Sequence, residues 1–249
     1  MVDLFDEVEE QLRSDRYKSL ALRVLPWAIG IAVLALGSTL GWWWWQERQD
    51  KAASAAAEQY AAGVETYSKH DETRAFGQFD EVAKSGPPVY RAMALMQQGG
   101  MRLEDGKTDE AVALFDKAAQ AAPDPLLEDL ARLKSAFALL DTAPYAQLEE
   151  RLTPLTEDDR PYSAEAKEAL AFAKLMDGRP ADARGEFAVL ALSPESPDPV
   201  RERAQAAMAM IDSGSAKALP ATVKAAAALP PPKPQPQAQP VPAQPGAAQ

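Results

Sequence analysis

The sequence predicts an all-α chain: a single transmembrane helix, then an α-solenoid of about four helix pairs with a capping helix, then a disordered Pro-rich tail. Three observations predict it. Residues 26–45 carry no charge. Small and aromatic positions recur thirty-six residues apart between Gly63 and Leu190. Pro and Gln dominate from residue 230 onward. Four segments follow: 1–25, 26–45, 46–213 and 214–249.

The N-terminal segment, 1–25, is acidic and then basic, with six Asp and Glu against four Lys and Arg. Phe5, Val8 and Leu12 fall on one helical face after Asp3, an N-cap residue type. This pattern predicts a short amphipathic helix; a frayed tail is the alternative.

The uncharged run at 26–45 is twenty residues long, and a bilayer core of ~30 Å needs about that many in a helix. Trp27 stands at one end and Trp42, Trp43, Trp44 and Trp45 at the other. Their amphipathic rings suit the headgroup level. A buried core helix would not normally end in four consecutive Trp. A cleaved signal peptide requires a short basic start and a small-residue cleavage site, and neither is present. Arg13, Arg16, Lys18 and Arg23 precede the run, whereas only Arg48 and Lys51 follow closely. The positive-inside rule then puts the N-terminus in the cytoplasm and the larger part of the chain outside. Gly37 and Gly41 form a small-xxx-small pair, a candidate transmembrane contact face.

Within 46–213, Ala and Leu recur at helical spacing and β-branched runs are missing. Pro- and Gly-containing breaks separate short helices. Gly99, Gly106, Ala111, Phe115, Ala118 and Pro123 have the small, aromatic and Pro spacing of a tetratricopeptide unit, in which two helices pack tightly at the small sites around a ring. Gly63, Ala75, Phe79, Val82 and Pro87 stand in the same register thirty-six residues earlier. Gly178, Ala183, Phe187 and Leu190 stand seventy-two residues later. A degenerate unit with Leu148, Leu152, Leu155 and Pro161 lies between, and residues 198–211 are expected to cap the open end.

The tail has almost no large apolar residue to bury, which predicts disorder with polyproline II character. It reads as a passive spacer or as a docking ligand.

Charge and chemistry exclude several classes. The net charge is −11. The first 25 residues contribute −2 and the last 36 contribute +3, which leaves −12 on the middle of the chain. That balance argues against nucleic acid, because a phosphate binder needs a basic face. There is no Cys and only one His, His70, so thiol chemistry, disulfides and His-based triads or metal clusters are not expected. No phosphate-binding or dinucleotide loop is present. The sequence predicts no enzyme, no metal, no cofactor and no small-molecule substrate.

The whole arrangement resembles the YfgM-like family of ancillary SecYEG translocon subunits. The residues that carry the resemblance are the acidic-then-basic start, the anchor closing on Gly41 and Trp42 through Trp45, then Gln46 and the Ala-rich stretch 52–60. It covers roughly residues 10–213; the Pro/Gln tail and the length of the N-terminal segment depart from it. The resemblance implies a bacterial inner-membrane protein with a periplasmic repeat domain. It implies contact with Sec translocon subunits and with a membrane-anchored periplasmic chaperone of the prolyl-isomerase type (PpiD-like). A periplasmic scaffold for envelope assembly or cell division is the competing reading.

In tetratricopeptide solenoids the first helix of each pair lines the concave groove. The register set by Ala75, Ala111 and Ala183 assigns Tyr60, Val64 and Tyr67 to that groove from the first unit. Met93, Met96 and Leu103 come from the second, and Phe172 and Leu175 from the last. Met suits an adaptable apolar surface, so an apolar or helical partner segment is the expected ligand. The alternative is that these residues fill the space between helices.

The orientation yields a direct test. Alkaline phosphatase fused after residue 213 is expected to be active in a bacterial host, and fused at residue 20 inactive. The reverse pattern would reject the N-in orientation.

Overall fold

The computed structural model describes residues 3–227; of residues 3–26, 28, 29, 32, 226 and 227 it describes the backbone alone. The side chains of Phe5, Val8 and Leu12 and residues 228–249 of the tail therefore lie outside the described residues. The chain divides into two units, Met1–Ala55 and Ala56–Gln249.

Helix α1 spans Asp3–Ser68. In the first unit its described apolar side chains point to open space. Trp27, Ile31, Leu34, Leu40 and Trp42 are between 65% and 75% exposed. Trp42 and Trp45 pack at 5.8 Å, and the Arg48 guanidinium lies 4.0 Å over the Trp44 ring. A Cβ added at Gly37 or Gly41 would meet nothing within 4 Å. Among the described residues no helix is long and apolar enough to cross a membrane; the side chains of residues 26, 28, 29 and 32 are not among them.

The second unit is an α-solenoid of antiparallel helix pairs. The last turns of α1 pair with α2 (Glu72–Ser85). Then come α3 (Pro88–Glu104) with α4 (Thr108–Ala121), α5 (Pro125–Leu139) with α6 (Tyr145–Leu152), and α7 (Ser163–Met176) with α8 (Pro180–Leu192). Helix α9 (Asp198–Asp212) follows, and a 3-10 turn leads to α10 (Leu219–Ala227). The ten helices are the regular structure of the described residues, together with two 3-10 turns; no strand occurs among them.

Local chemistry sets the helix boundaries. Pro opens α3, α5, α8 and α9 within the first two positions, where its missing N–H costs nothing and its φ is already helical. The Asp124 carboxylate accepts from the Leu127 N–H at 3.0 Å, and Asp71 accepts from the Arg74 N–H at 3.2 Å, so both act as N-caps. Except between α5 and α6, the turns inside the pairs use a left-handed residue. Gly106 (φ 74°), Gly178 (φ 78°) and Gly214 (φ 76°) supply it, and His70 (φ 62°) occupies the same place in the first pair. The lone His is thus a turn residue standing where three other turns use Gly.

Within each pair one close approach fixes the packing. The ring of Phe79 lies against Gly63, and that of Phe115 against Gly99. A Cβ on those glycines would sit 2.8 Å and 2.6 Å from the respective Cε1 atoms. In the fourth pair Ala171 and Phe187, both buried, hold the same two places. The third pair departs from this. Ser135 replaces the small apolar residue and Arg151 replaces the ring. The Ser135 hydroxyl donates to Asp116 at 2.7 Å, and the Arg151 guanidinium donates to Asp116 at 3.0 Å and to Ser135 at 3.0 Å. Leu148, Leu152 and Leu155 of that pair are fully buried and make up the lost apolar volume.

Two buried carboxylates clip neighbouring pairs together. Asp129 of α5 is fully buried and paired with Arg160, and Glu168 of α7 receives Arg203 of α9 through two bonds of 2.7 Å and 2.6 Å. A buried carboxylate left without its partner is strongly destabilising.

The end of the solenoid corrects the sequence reading. Helix α9 is more than a cap: Ala207 and Gly214 stand thirty-six residues after Ala171 and Gly178, in the register of a further pair. Residues 215–227, assigned to the tail from composition, are largely helical, and Ala216 is buried in the last core cluster. The physical reason is that Gly214 turns the chain back onto α9, which gives this Ala-rich stretch a surface to cover.

The glycine contacts yield a paired prediction. Gly99→Ala should lose about 1–3 kcal/mol by overpacking, because Phe115 is buried and cannot withdraw. Gly100→Ala, with nothing within 4 Å, should gain about 0.4–1 kcal/mol through the unfolded state. Thermal melts of the two variants are expected to move in opposite directions; equal shifts would reject the close contact.

Candidate partner-binding groove

The first helices of the first three pairs converge on one apolar cavity. Tyr60 of α1 packs on Phe79 at 5.5 Å and on Tyr90 at 6.4 Å, which fixes its ring. The Gln97 amide donates to the Tyr60 hydroxyl at 2.8 Å. Met93 and Met96 of α3 and Leu127, Leu130 and Lys134 of α5 complete the walls around ≈ 250 Å³. The groove residues read from the sequence are thus brought together in part. Tyr60, Met93 and Met96 meet. Val64 and Leu103 are 41% and 40% exposed on the same two helices.

Tyr67 lies nearby, half-buried, and its hydroxyl donates to Glu104. Burial, and then the Glu104 carboxylate, push the phenol pKa up to about 12. This bond ties the end of α1 to the end of α3.

The residues expected from the last unit fall elsewhere. Leu175 is a core residue, not a groove residue: it is 3% exposed and packs in the cluster of Phe187 and Val200. Phe172 meets Phe187 edge-on at 4.9 Å and lies partly buried against the same cluster. The cause is α9, which packs against α7 as one more first helix and covers what a terminal unit would have left open.

Sequence reasoning missed the α5 contribution. Asp129 follows Met93 by thirty-six residues, yet it is buried and paired with Arg160. Helix α5 therefore presents Leu127, Leu130 and Lys134 instead. The available signal was the apolar pair at i and i+3 in that helix.

A family model described as a tetratricopeptide repeat-like domain matches residues 26–210. The chain belongs to that family. No curated protein and no solved structure matches the chain. The tetratricopeptide repeat-like domain is a protein–protein interaction scaffold, and such domains are typically non-catalytic. The packing residues of the repeat, Gly63, Phe79, Gly99, Phe115, Ala111, Ala118, Ala75, Ala183 and Phe187, are buried, whereas Gly106 and Gly178 serve its turns.

The Tyr67 pair has a pH signature. Its folded-state pKa lies above the ordinary value of 10, so the fold favours the protonated phenol. The contribution is complete below about pH 10 and is lost as pH rises through about 12. Phenolate absorbance should show Tyr67 titrating late, with Tyr145 and Tyr162 also held up by burial, and Glu104→Gln should move the Tyr67 titration alone earlier. An unchanged titration in the variant would remove the pair.

Proposed function

We propose that this tetratricopeptide repeat-like protein is a bacterial inner-membrane-anchored periplasmic scaffold, an ancillary subunit of the Sec translocon that helps hand secreted chains to periplasmic chaperones. The observation that carries the scaffold role is the cavity of Tyr60, Met93 and Met96. It is an apolar, Met-lined surface left open on the first helices of a strongly acidic domain. Fixed aromatic and adaptable thioether side chains together suit an apolar or helical partner segment.

Several features support the anchor at 26–45. Its described side chains are exposed on consecutive positions, 33–36 and 42–45, and so cover every side of the helix. A helix apolar on all sides suits lipid rather than water. Its hydroxyls are satisfied within the helix: Ser38 donates to the Ala35 carbonyl at 2.9 Å, and Thr39 to the same carbonyl at 3.0 Å. This is the requirement hydrocarbon imposes on polar groups. The Arg48 contact over Trp44 puts a cation beside the Trp cluster, as at a headgroup boundary. The family match begins at residue 26 and includes this run. The Sec and PpiD-like partners rest on the resemblance carried by Gly41 to Gln46 and the Ala-rich 52–60.

Co-purification in mild detergent tests the assignment. Translocon subunits and a prolyl-isomerase-type chaperone are expected with the native chain. Recovery of cell-wall synthesis or division proteins instead would overturn the Sec reading. Replacing Tyr60, Met93 and Met96 with Ser should lose most of the captured partner, while a melt confirms that the solenoid persists. Undiminished capture would remove the groove.

A further inference from the structure

We propose that the cavity of Tyr60, Met93 and Met96 takes a proline-rich polyproline II segment, and that its resident occupant is the chain's own segment 230–245. The proposal rests on the groove reading above and adds the occupant.

The chemistry of the lining carries it. Eight of the sixteen residues in 230–245 are Pro. Pro has no N–H, and a polyproline II backbone leaves its carbonyls without internal partners. Such a segment is rich in acceptors and poor in donors. The polar groups of the cavity are donors to match. Tyr60 accepts from Gln97 and so keeps its own O–H hydrogen for another acceptor. Lys134 adds an ammonium with three donors. Among the described residues no Asp or Glu lines the cavity, although the middle of the chain carries −12. The Tyr60 ring and the two Met side chains supply the flat and adaptable surface against which pyrrolidine rings pack.

The position of the occupant fits as well. Pro220 and Lys224 of α10 share a cavity with Leu140, at the C-terminal end of α5. Leu130 lies ten residues back along α5, about 15 Å at 1.5 Å per residue. The segment leaves α10 at Ala227. Ten residues in polyproline II span about 31 Å, enough to run along α5 to the cavity. Because the segment is tethered, its effective concentration is on the order of mM, so a weak contact suffices to fill the cavity.

Methionine-methyl NMR on the full chain in detergent micelles tests this against a chain ending at Ala227, whose melt checks that it is folded. The Met93 and Met96 resonances are expected to differ between the two. A synthetic peptide of residues 228–245 added to the shortened chain should restore the full-chain positions. Tyr60→Ser and Lys134→Ala should each weaken that peptide at least about threefold. Identical Met93 and Met96 resonances in the two chains would overturn the proposal. Shifts that vanish on dilution would overturn it too, by assigning the occupant to a second copy. Partner capture is read separately. If the shortened chain captures partners through Tyr60 but the peptide moves nothing, only this inference fails. If the peptide binds but Tyr60→Ser leaves capture intact, the groove reading under Proposed function fails instead.

Discussion

The solenoid depends on a contact between a ring and a glycine. Phe79 on Gly63 and Phe115 on Gly99 bring two helices closer than any side chain at the glycine would allow. That approach sets the spacing within each pair, and the spacing sets what the next pair must fit. Because the contact involves residues sixteen apart, it is local, and each pair forms largely from its own sequence. Stability then accumulates from pair to pair through neighbouring interfaces rather than through one central core. The buried clusters accordingly follow the chain, from Ala75 and Phe79 at one end to Phe187 and Val200 at the other.

The third pair shows what happens when that contact is replaced. Arg151 cannot bury against Ser135 as a ring would, so it reaches Asp116 of the preceding pair. The pair thereby exchanges an internal apolar contact for a polar link to its neighbour. Asp129 with Arg160 and Glu168 with Arg203 follow the same logic at successive interfaces. Apolar clusters run both within pairs and from one pair to the next, and the ion pairs at Asp116, Asp129 and Glu168 add fixed polar links to them. A buried ion pair adds little net stability over an apolar one, but a misplaced partner leaves a charge exposed to low dielectric. These pairs therefore select the register in which the solenoid stacks.

How much of this was legible follows from how local each cause is. The thirty-six-residue spacing was legible because Gly63, Gly99, Phe79 and Phe115 each act through one short-range contact. The turn was legible at Gly178, a Gly- and Pro-marked break; Gly106 reads in the sequence as a packing position, and its left-handed conformation, like that of His70, appears only in the folded chain. The helical stretch beyond Gly214 was not legible: Ala, Pro and Lys look like tail until α9 offers them a surface. Nor was the contribution of α5 to the groove, because the burial of Asp129 depends on Arg160, thirty-one residues away. Leu175 failed for a related reason, since its exposure depends on whether another first helix follows. Sequence periodicity reports contacts inside a pair and is nearly silent about contacts between pairs.

That division explains why the groove sits where it does. Second helices meet the following pair through their own faces, and their Ala and Phe positions are committed to the cores. First helices share their sides with neighbouring first helices, so the face left over is continuous from α1 through α3 to α5. On that face the strong negative charge of the domain is a handicap for apolar or acceptor-rich ligands. An acidic residue there would be repelled by carbonyl oxygens and would hold water tightly. The cavity is lined instead by Tyr60, Met93, Met96, Leu127 and Leu130, with Gln97 and Lys134 as its polar members. The acidic residues are spent on solvated faces and interfacial ion pairs, as with Asp212 and Arg184, whose guanidinium holds that carboxyl below its usual range. One composition thus serves two ends: charge keeps the solenoid in solution and in register, and its exclusion from one face leaves a surface that water holds weakly.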